Sequence, residues 1–328
     1  MPPVTSTIAT TAPTPGIDSP PKARTERVDY VANIAAMALP PALLAFAAWR
    51  AWGGALRWTD LVVLAIFYCL TGFGITVGFH RLFTHRSFTT GPVLRFLLAA
   101  FGSAAIEGPL IEWVSNHRQH HQFSDDARDP HSPHHHGPGV RGALRGLLHA
   151  HVGWILRGDA AATPERYAKD LLADPLVRLV DRTFLLWLLA GLALPFALGA
   201  LLTGTVAGAL TALLWGGAVR IFLLHHATFS INSLCHFFGR RPFETGDESR
   251  NLAWLALPTF GEAWHNNHHA FPSSARHGQA RWQLDPSWWL IVALARCRLA
   301  GDVVRISPAR RLEKQASLRL AGTRASET

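Results

Sequence analysis

The chain has 328 residues, 49% of them hydrophobic, and a mean hydropathy of +0.14; it is apolar for a soluble protein and polar for a pure transporter, which suits a membrane anchor carrying a substantial cytosolic part. A net charge of +9 and a pI of about 10.4 suit anionic headgroups, an anionic acyl carrier or an acidic redox partner, while the apolar spans weigh against nucleic acid. Cys69, Cys235 and Cys297 lie far apart and exclude both a CxxC pair and a disulfide framework.

Residues 1–29 are rich in Pro, Thr and Ser and lack the apolar core of a signal peptide, so a disordered tail is expected there. A helix crossing the hydrocarbon needs about 20 mostly apolar residues. Residues 31–49 qualify, with Pro40 and Pro41 as a kink. Residues 61–79 and 183–203 qualify, and 205–226 are long enough but contain Arg220. An arginine inside a span must find a partner, and a carboxylate is expected. The stretch 92–112 carries Arg95 and Glu107 and is expected to lie along the interface or pack on the protein. The segment 288–295 is shorter still. Four spans thus pair into two hairpins, turning at 50–58 and at Gly204. Most charged residues lie before the first hairpin, in 80–182 and after 236, which the positive-inside rule places together in the cytosol. The expected organisation is a tail (1–29), one domain (30–304) with cytosolic parts 80–182 and 236–304, and a C-terminal tail (305–328).

The 18 histidines are clustered along the chain. His80 and His85 follow the second span in HRLFTH; His117, His120 and His121 form HRQHH; His236 follows the fourth span; His265, His268 and His269 form HNNHH. On a helix, positions i, i+3 and i+4 share a face, so each HxxHH triplet presents three imidazoles together. Two triplets, a pair and a lone histidine exceed what one metal needs and fit two. Neutral imidazole suits Zn, Cu, Fe and Ni. The lack of accompanying cysteine argues against structural zinc, and the Glu and ExxH pattern of soluble diiron bundles is missing. The fold class that follows is an all-α membrane protein with a helical cytosolic cap carrying a histidine-ligated dimetal centre. His131, His134, His135 and His136 lie in the Pro/Gly-broken DPHSPHHHGPG and read as a solvated loop. His149, His151, His225 and His277 read as structural or supporting residues, with His226 the best supporting candidate. Asp125, Asp126, Asp129, Glu112 and Glu262 flank the boxes as candidates to orient the rings.

HRLFTH, HRQHH and HNNHH, in this order and with these spans between, resemble the membrane fatty-acid desaturases of the stearoyl-CoA Δ9 type. FSDDARDPH (123–131), HVGW (151–154), NSLCHFFG (232–239) and GEAWHNNHHAFP (261–272) support the resemblance, and GDESRN (246–251) and SARHG (274–278) are similar to actinobacterial members. It implies an O2-dependent diiron enzyme that places a cis double bond, Δ9, in a saturated C16–C18 acyl chain. It implies nine iron ligands: His80, His85, His117, His120, His121, His236, His265, His268 and His269, with Asn232 acting through a water. The implied partition puts His80, His121, His236 and His265 with the Asn232 water on one iron, and His85, His117, His120, His268 and His269 on the other. A spacing of five places His80 and His85 about 140° apart on an ideal helix, so that pair reads as one ligand for each iron, or as a break in the helix. The resemblance puts Trp113 and Thr228 at a bend in an acyl tunnel, with Tyr68 and Gly72 near its closed end. Gly108 and Ser115 stand where animal members hold CoA, so an acyl lipid or acyl-carrier protein is also open as carrier. HPGG does not occur, and electrons are expected from a separate ferredoxin or flavin reductase. The implied location is a bacterial plasma membrane, with site and termini cytosolic. A diiron hydroxylase of the same type is the runner-up. A His-rich metal transporter fits less well, because the histidines gather at the cytosolic ends of the spans.

Overall fold

A computed structural model describes residues 23–54, 56–157 and 162–315. Nearly all the regular structure is helical; the exception is a two-residue antiparallel pairing of Thr89–Thr90 with Ala300–Gly301.

Helix α1, Ala23–Trp52, contains Pro40 and Pro41. It begins inside the stretch expected to be a tail; residues 1–22 lie outside the described residues. Helix α2, Trp58–Phe73, is anchored by Asp60, which accepts from the Arg57 backbone N–H (2.9 Å) and from the Thr211 hydroxyl (2.8 Å). A carboxylate suits this end, where backbone N–H groups are free. The chain then continues as a π-helix, Gly74–Thr84. The run Trp58–Thr84 is therefore 27 residues long and outlasts the expected span 61–79.

Helix α3, Pro92–Ser103, packs on this run through glycines. A Cβ on Gly74 would lie 2.2 Å from the Gly102 nitrogen, and one on Gly78 would lie 2.9 Å from the Leu98 carbonyl oxygen. Backbone meets backbone there, which only glycine permits. Positive φ at Ile106 and Gly108 then breaks the chain before α4, Leu110–Phe123. The doubtful stretch 92–112 is thus a short packed helix and a turn.

Helix Phe184–Thr203 ends at Gly204 in the left-handed conformation (φ 66°). Thr205 caps the next helix by accepting from the Gly208 N–H (3.1 Å), and Gly199 packs on Ala212 across the turn. The run Val206–His236 is 31 residues long, well beyond the expected end at 226, and includes a π-helical segment, Leu214–Val219. Among the described residues three runs, Trp58–Thr84, Phe184–Thr203 and Val206–His236, are long and apolar enough to cross a membrane. Leu185, Leu189 and Leu201 stay exposed on the second of them, as a lipid-facing surface requires.

Arg220 is fully buried, and its partners differ from the expected carboxylate. It donates to the carbonyls of Gly216 (3.1 Å), Ala104 (2.9 Å) and Gly191 (2.9 Å). The end of α3 frees the Ala104 carbonyl, Gly216 lies one turn before Arg220 on the same run, and glycine at 191 lets that helix approach Ala104, since a Cβ there would lie 2.8 Å from the Ala104 carbonyl oxygen. The C-terminal segment also differs from a free tail. Residues 308–315 are helical, and Arg311 and Lys314 donate to the carbonyls of Gln279 (2.5 Å) and Ala270 (3.0 Å). Residues 316–328 lie outside the described residues.

Gly74→Leu should force the π-helix and α3 apart. Overpacking of this kind costs about 3 kcal/mol, or roughly 6 to 12 °C in a chain of this size, read by thermal unfolding of the detergent-solubilised protein. An unchanged melting temperature would contradict the close packing.

Candidate metal centre

Four pieces of the fold deliver imidazoles to one region. The π-helix brings His80, with His85 as the residue that ends it. Helix α4 brings His117, His120 and His121. His236 closes the run Val206–His236, and the helix His265–Ala270 carries His265, His268 and His269.

They form two groups. In one, His80, His85, His117, His121 and His268 bring ligand nitrogens within 4.8 Å of one another; in the other, His120, His236, His265 and His269 do so. This differs from the partition that the resemblance implied. The reason lies in helix geometry. His117 and His121, four apart, project within about 40° of each other, as do His265 and His269, whereas His120 and His268 stand at the other edge of the same face, about 100° from His121 and His269. Each triplet therefore sends two rings to one group and one to the other. His80 and His85 also join one group instead of dividing. In a π-helix the turn closes one residue later than in an α-helix, and the His85 N–H donates to the His80 carbonyl (3.1 Å). Positions five apart therefore lie on one face, and their rings sit 4.8 Å apart.

Carboxylates hold the Nδ1 side of four rings. Asp125 Oδ2 is 2.8 Å from His236 Nδ1, and Asp129 Oδ2 is 3.0 Å from His120 Nδ1. Asp247 Oδ2 is 2.8 Å from His269 Nδ1, and Glu262 Oε2 is 2.6 Å from His80 Nδ1. Asp125 and Asp129 lie on the turn after α4, where Asp125 takes a positive φ (61°) and donates its N–H to Asp129. Glu262 is held in turn by the fully buried Arg81 (2.9 Å), and Arg81 also pairs with Asp285 (2.9 Å). Burial alone would raise these carboxyls. For Asp125 and Asp129 the neighbouring imidazoles outweigh it, and for Glu262 Arg81 does so, holding each well below the usual range. Asp247 is lowered against the same burial by its hydrogen bond to His269. Burial pushes His85, His117, His121, His265 and His268 far down and His269 to about 4, so these rings are neutral.

This arrangement has a chemical consequence. A neutral ring whose Nδ1–H is given to a carboxylate presents a bare lone pair at Nε2. His236 Nε2 lies 2.9 Å from His265 Nε2, and His268 Nε2 lies 2.9 Å from His121 Nε2 and 3.2 Å from His80 Nε2. His85 Nε2 and His269 Nε2 are buried with no hydrogen-bond partner. Nε2 atoms this close must share either a proton or a cation, and the buried, unpartnered Nε2 atoms of His85 and His269 are satisfied only by a cation. Nitrogens about 2.1 Å from one metal lie roughly 3 Å from each other. The donor set therefore fits one metal ion in each group.

Among the other predicted residues, Trp113 stacks on His117 (5.1 Å). Its indole N–H donates to Glu107 Oε2 (3.2 Å), and Thr228 donates to Glu107 Oε1 (2.8 Å). Glu107 thus ties Trp113 to Thr228, and burial pushes its carboxyl up to about 7. Tyr68 donates to the Pro258 carbonyl (2.7 Å) and faces Phe260, the ring that would also meet a Cβ on Gly72. Asn232 is half-buried, four residues before His236 on the same run. The reading of 131–136 as a solvated loop is corrected for His131: it is buried and stacks 4.4 Å from His120, beside Asp129. His134 Nε2 is 3.0 Å from the His236 carbonyl, while His135 is exposed. His226 pairs with His151 (2.9 Å), and His277 lies 3.0 Å from Glu262. Asp126 is exposed and pairs with Arg128, and Glu112 is exposed as well. Sequence reasoning missed the orienting role of Asp247. Its signal was available in GDESRN, an acidic turn otherwise used only as a likeness.

A fatty acid desaturase family model matches residues 56–298. The chain is 42% identical over 246 residues to a hex-5-enoyl-[acyl-carrier protein] acetylenase of Moorena producens, covering 74% of this chain and 76% of that one. It is 40% identical over 252 residues to Delta-9 acyl-lipid desaturase 1 of Arabidopsis thaliana (75% of each chain). It is 38% identical over 248 residues to an sn-1 stearoyl-lipid 9-desaturase of Anabaena variabilis (75% and 84%).

Asp247→Asn should weaken metal binding about 10- to 100-fold with the helical circular-dichroism spectrum unchanged, read by competition with a chelator. Unchanged affinity would remove Asp247 from the site. The neutral histidines also set a pH window. An unfolded chain takes up protons as pH falls below about 6.5, while the folded metal-free chain resists until near 4, the value for His269. The metal-free protein should therefore be most stable above that upper bound and lose stability through the window on acidification, by at least roughly 5 °C between pH 7.5 and 5. A flat profile would contradict buried neutral rings.

Proposed function

The chain belongs to the fatty acid desaturase family and is an oxidoreductase of fatty acyl chains, and we propose that it introduces a cis double bond at Δ9 into a saturated C16–C18 chain. The observation that carries this reading is the convergence of nine histidines into two groups beside apolar spans. We assign His80, His85, His117, His121 and His268 to one iron. His120, His236, His265 and His269 hold the other, with Asn232 acting through a water. When bound, the two irons supply the O2-dependent oxidant that an unactivated methylene demands.

The protein's own share is orientation and exclusion of water. Asp125, Asp129, Asp247 and Glu262 fix four rings, and buried Arg81 fixes Glu262. Trp113 lies over His117, and Glu107 locks the indole to Thr228. That clamp is assigned to the bend that brings one C–C pair of the acyl chain to the irons. Tyr68 and Gly72, backed by Pro258 and Phe260, are assigned to the closed end. The names of the three relatives above favour an acyl lipid or an acyl-carrier thioester over CoA as carrier, and so do Gly108 and Ser115. GDESRN and SARHG alone carry the likeness to actinobacterial members. Electrons come from a separate ferredoxin or flavin reductase. With α1 as a fourth span, two hairpins cross a bacterial plasma membrane. Parts 80–182 and 236–304 of domain 30–304 and both termini then share the cytosolic side, where the basic charge is concentrated.

Expression in a host lacking its own desaturase tests this directly. Mass spectrometry should find fatty acids lighter by two hydrogens, with the double bond at Δ9. His268→Ala should lower the yield at least 100-fold. A normal product from that variant would sink the ligand assignment, and a gain of one oxygen would favour the hydroxylase. Tyr68→Ala should extend the accepted chain beyond C18, and an unchanged product profile would remove Tyr68 from the closed end.

A further inference from the structure

A cleft of about 1120 Å³ opens behind the third histidine box. Trp264 and Asn267 lie in its wall, and they are the chain neighbours of His265 and His268. Asn251 and Gln283 hold Asn267 by its amide (2.7 and 3.0 Å), so this wall is rigid. Trp282 is 63% exposed and meets the buried Trp264 edge-on (5.2 Å).

The lining is strongly basic. Arg240, Arg241, Arg281 and Arg311 line the cleft, and among the described residues no carboxylate does. Arg241 is neutralised by Glu248 (3.1 Å). Arg311 is tied to the Gln279 carbonyl. Arg240 and Arg281 are exposed and, among the described residues, have no ion-pair partner. Two free guanidinium groups beside an exposed tryptophan are the residue types that anchor protein interfaces. The charge selects an acidic partner.

The geometry points to this cleft as the docking site of a small acidic electron-carrier protein of the ferredoxin class. The inference rests on the reading of the chain as a desaturase. That reaction breaks two C–H bonds and forms one C=C bond. The acyl chain yields two electrons and two protons, and O2 needs four of each to become two waters. The remaining two electrons come from two one-electron carriers, and two protons come from solvent. Electron transfer falls steeply with distance, and this cleft places a docked carrier against the residues bonded to two ligands. An acyl-carrier protein is acidic as well, but it must present its chain to the substrate bend near Trp113. Trp113 is not among the cleft's lining residues.

The test uses the full chain in lipid nanodiscs, with Arg240→Glu/Arg281→Glu as the variant and Arg240→Lys/Arg281→Lys as the rescue. Turnover driven by reduced [2Fe–2S] ferredoxin should show a KM for ferredoxin raised at least tenfold in the variant, restored in the lysine pair. It should weaken with ionic strength in the wild type, as screened attraction requires. Turnover driven by dithionite and a small mediator should be unchanged. Ferredoxin binding by calorimetry should fall in parallel, and it reads the proposal even where turnover fails. Equal ferredoxin affinity in variant and wild type would overturn it. So would a raised KM for the acyl carrier under mediator-driven turnover, which would make the cleft the carrier's site. Loss of all mediator-driven desaturation in the wild type would instead strike the functional reading.

Discussion

The structure depends on the convergence of buried imidazole nitrogens into two groups. Rings of His80, His120, His236 and His269 give their Nδ1 side to carboxylates and turn Nε2 inward. Opposing Nε2 atoms then stand about 3 Å apart, and burial keeps the facing rings of His121, His265 and His268 neutral. A buried lone pair without a donor is costly. A cation in each group removes that cost and converts the crowding into ligation. The carboxylates, the glycine contacts between the π-helix and α3, and the buried arginines all serve to hold this arrangement in place.

Two fully buried arginines show how differently one cation can be accommodated. Arg81 meets Glu262 and Asp285, so its charge is balanced and passed on to orient His80. Arg220 meets three backbone carbonyls and no carboxylate. It staples α3, the helix Phe184–Thr203 and the run Val206–His236 through groups that helix ends and glycines leave reachable. The first arginine belongs to the site, and the second belongs to the scaffold that positions it.

Much of this was legible in the sequence. Three of the spans followed from apolar length, and the histidine boxes followed from HRLFTH, HRQHH and HNNHH. The division of the histidines was not legible, because it turns on a π-helix. A spacing of five predicts divergence on an α-helix, whereas His80 and His85 converge once the turn closes one residue later. GDESRN marked an acidic turn, but the partner of Asp247 was not legible, because the fold brings it to His269, 22 residues away. His131 looked like part of a polar loop, yet the turn built on Asp125 and Asp129 folds it against His120. The partners of Arg220 were beyond reach as well, since carbonyls carry no sequence signature.

The central claim is that the two histidine groups each hold one ion. The most direct measurement is the metal content of the purified full chain after anaerobic iron loading and removal of loosely bound iron. The account predicts two irons per chain in the wild type. It predicts one in His85→Ala, which breaks only the five-histidine group, and one in His236→Ala, which breaks only the other. A wild-type content of one, or retention of two irons in both variants, would contradict it.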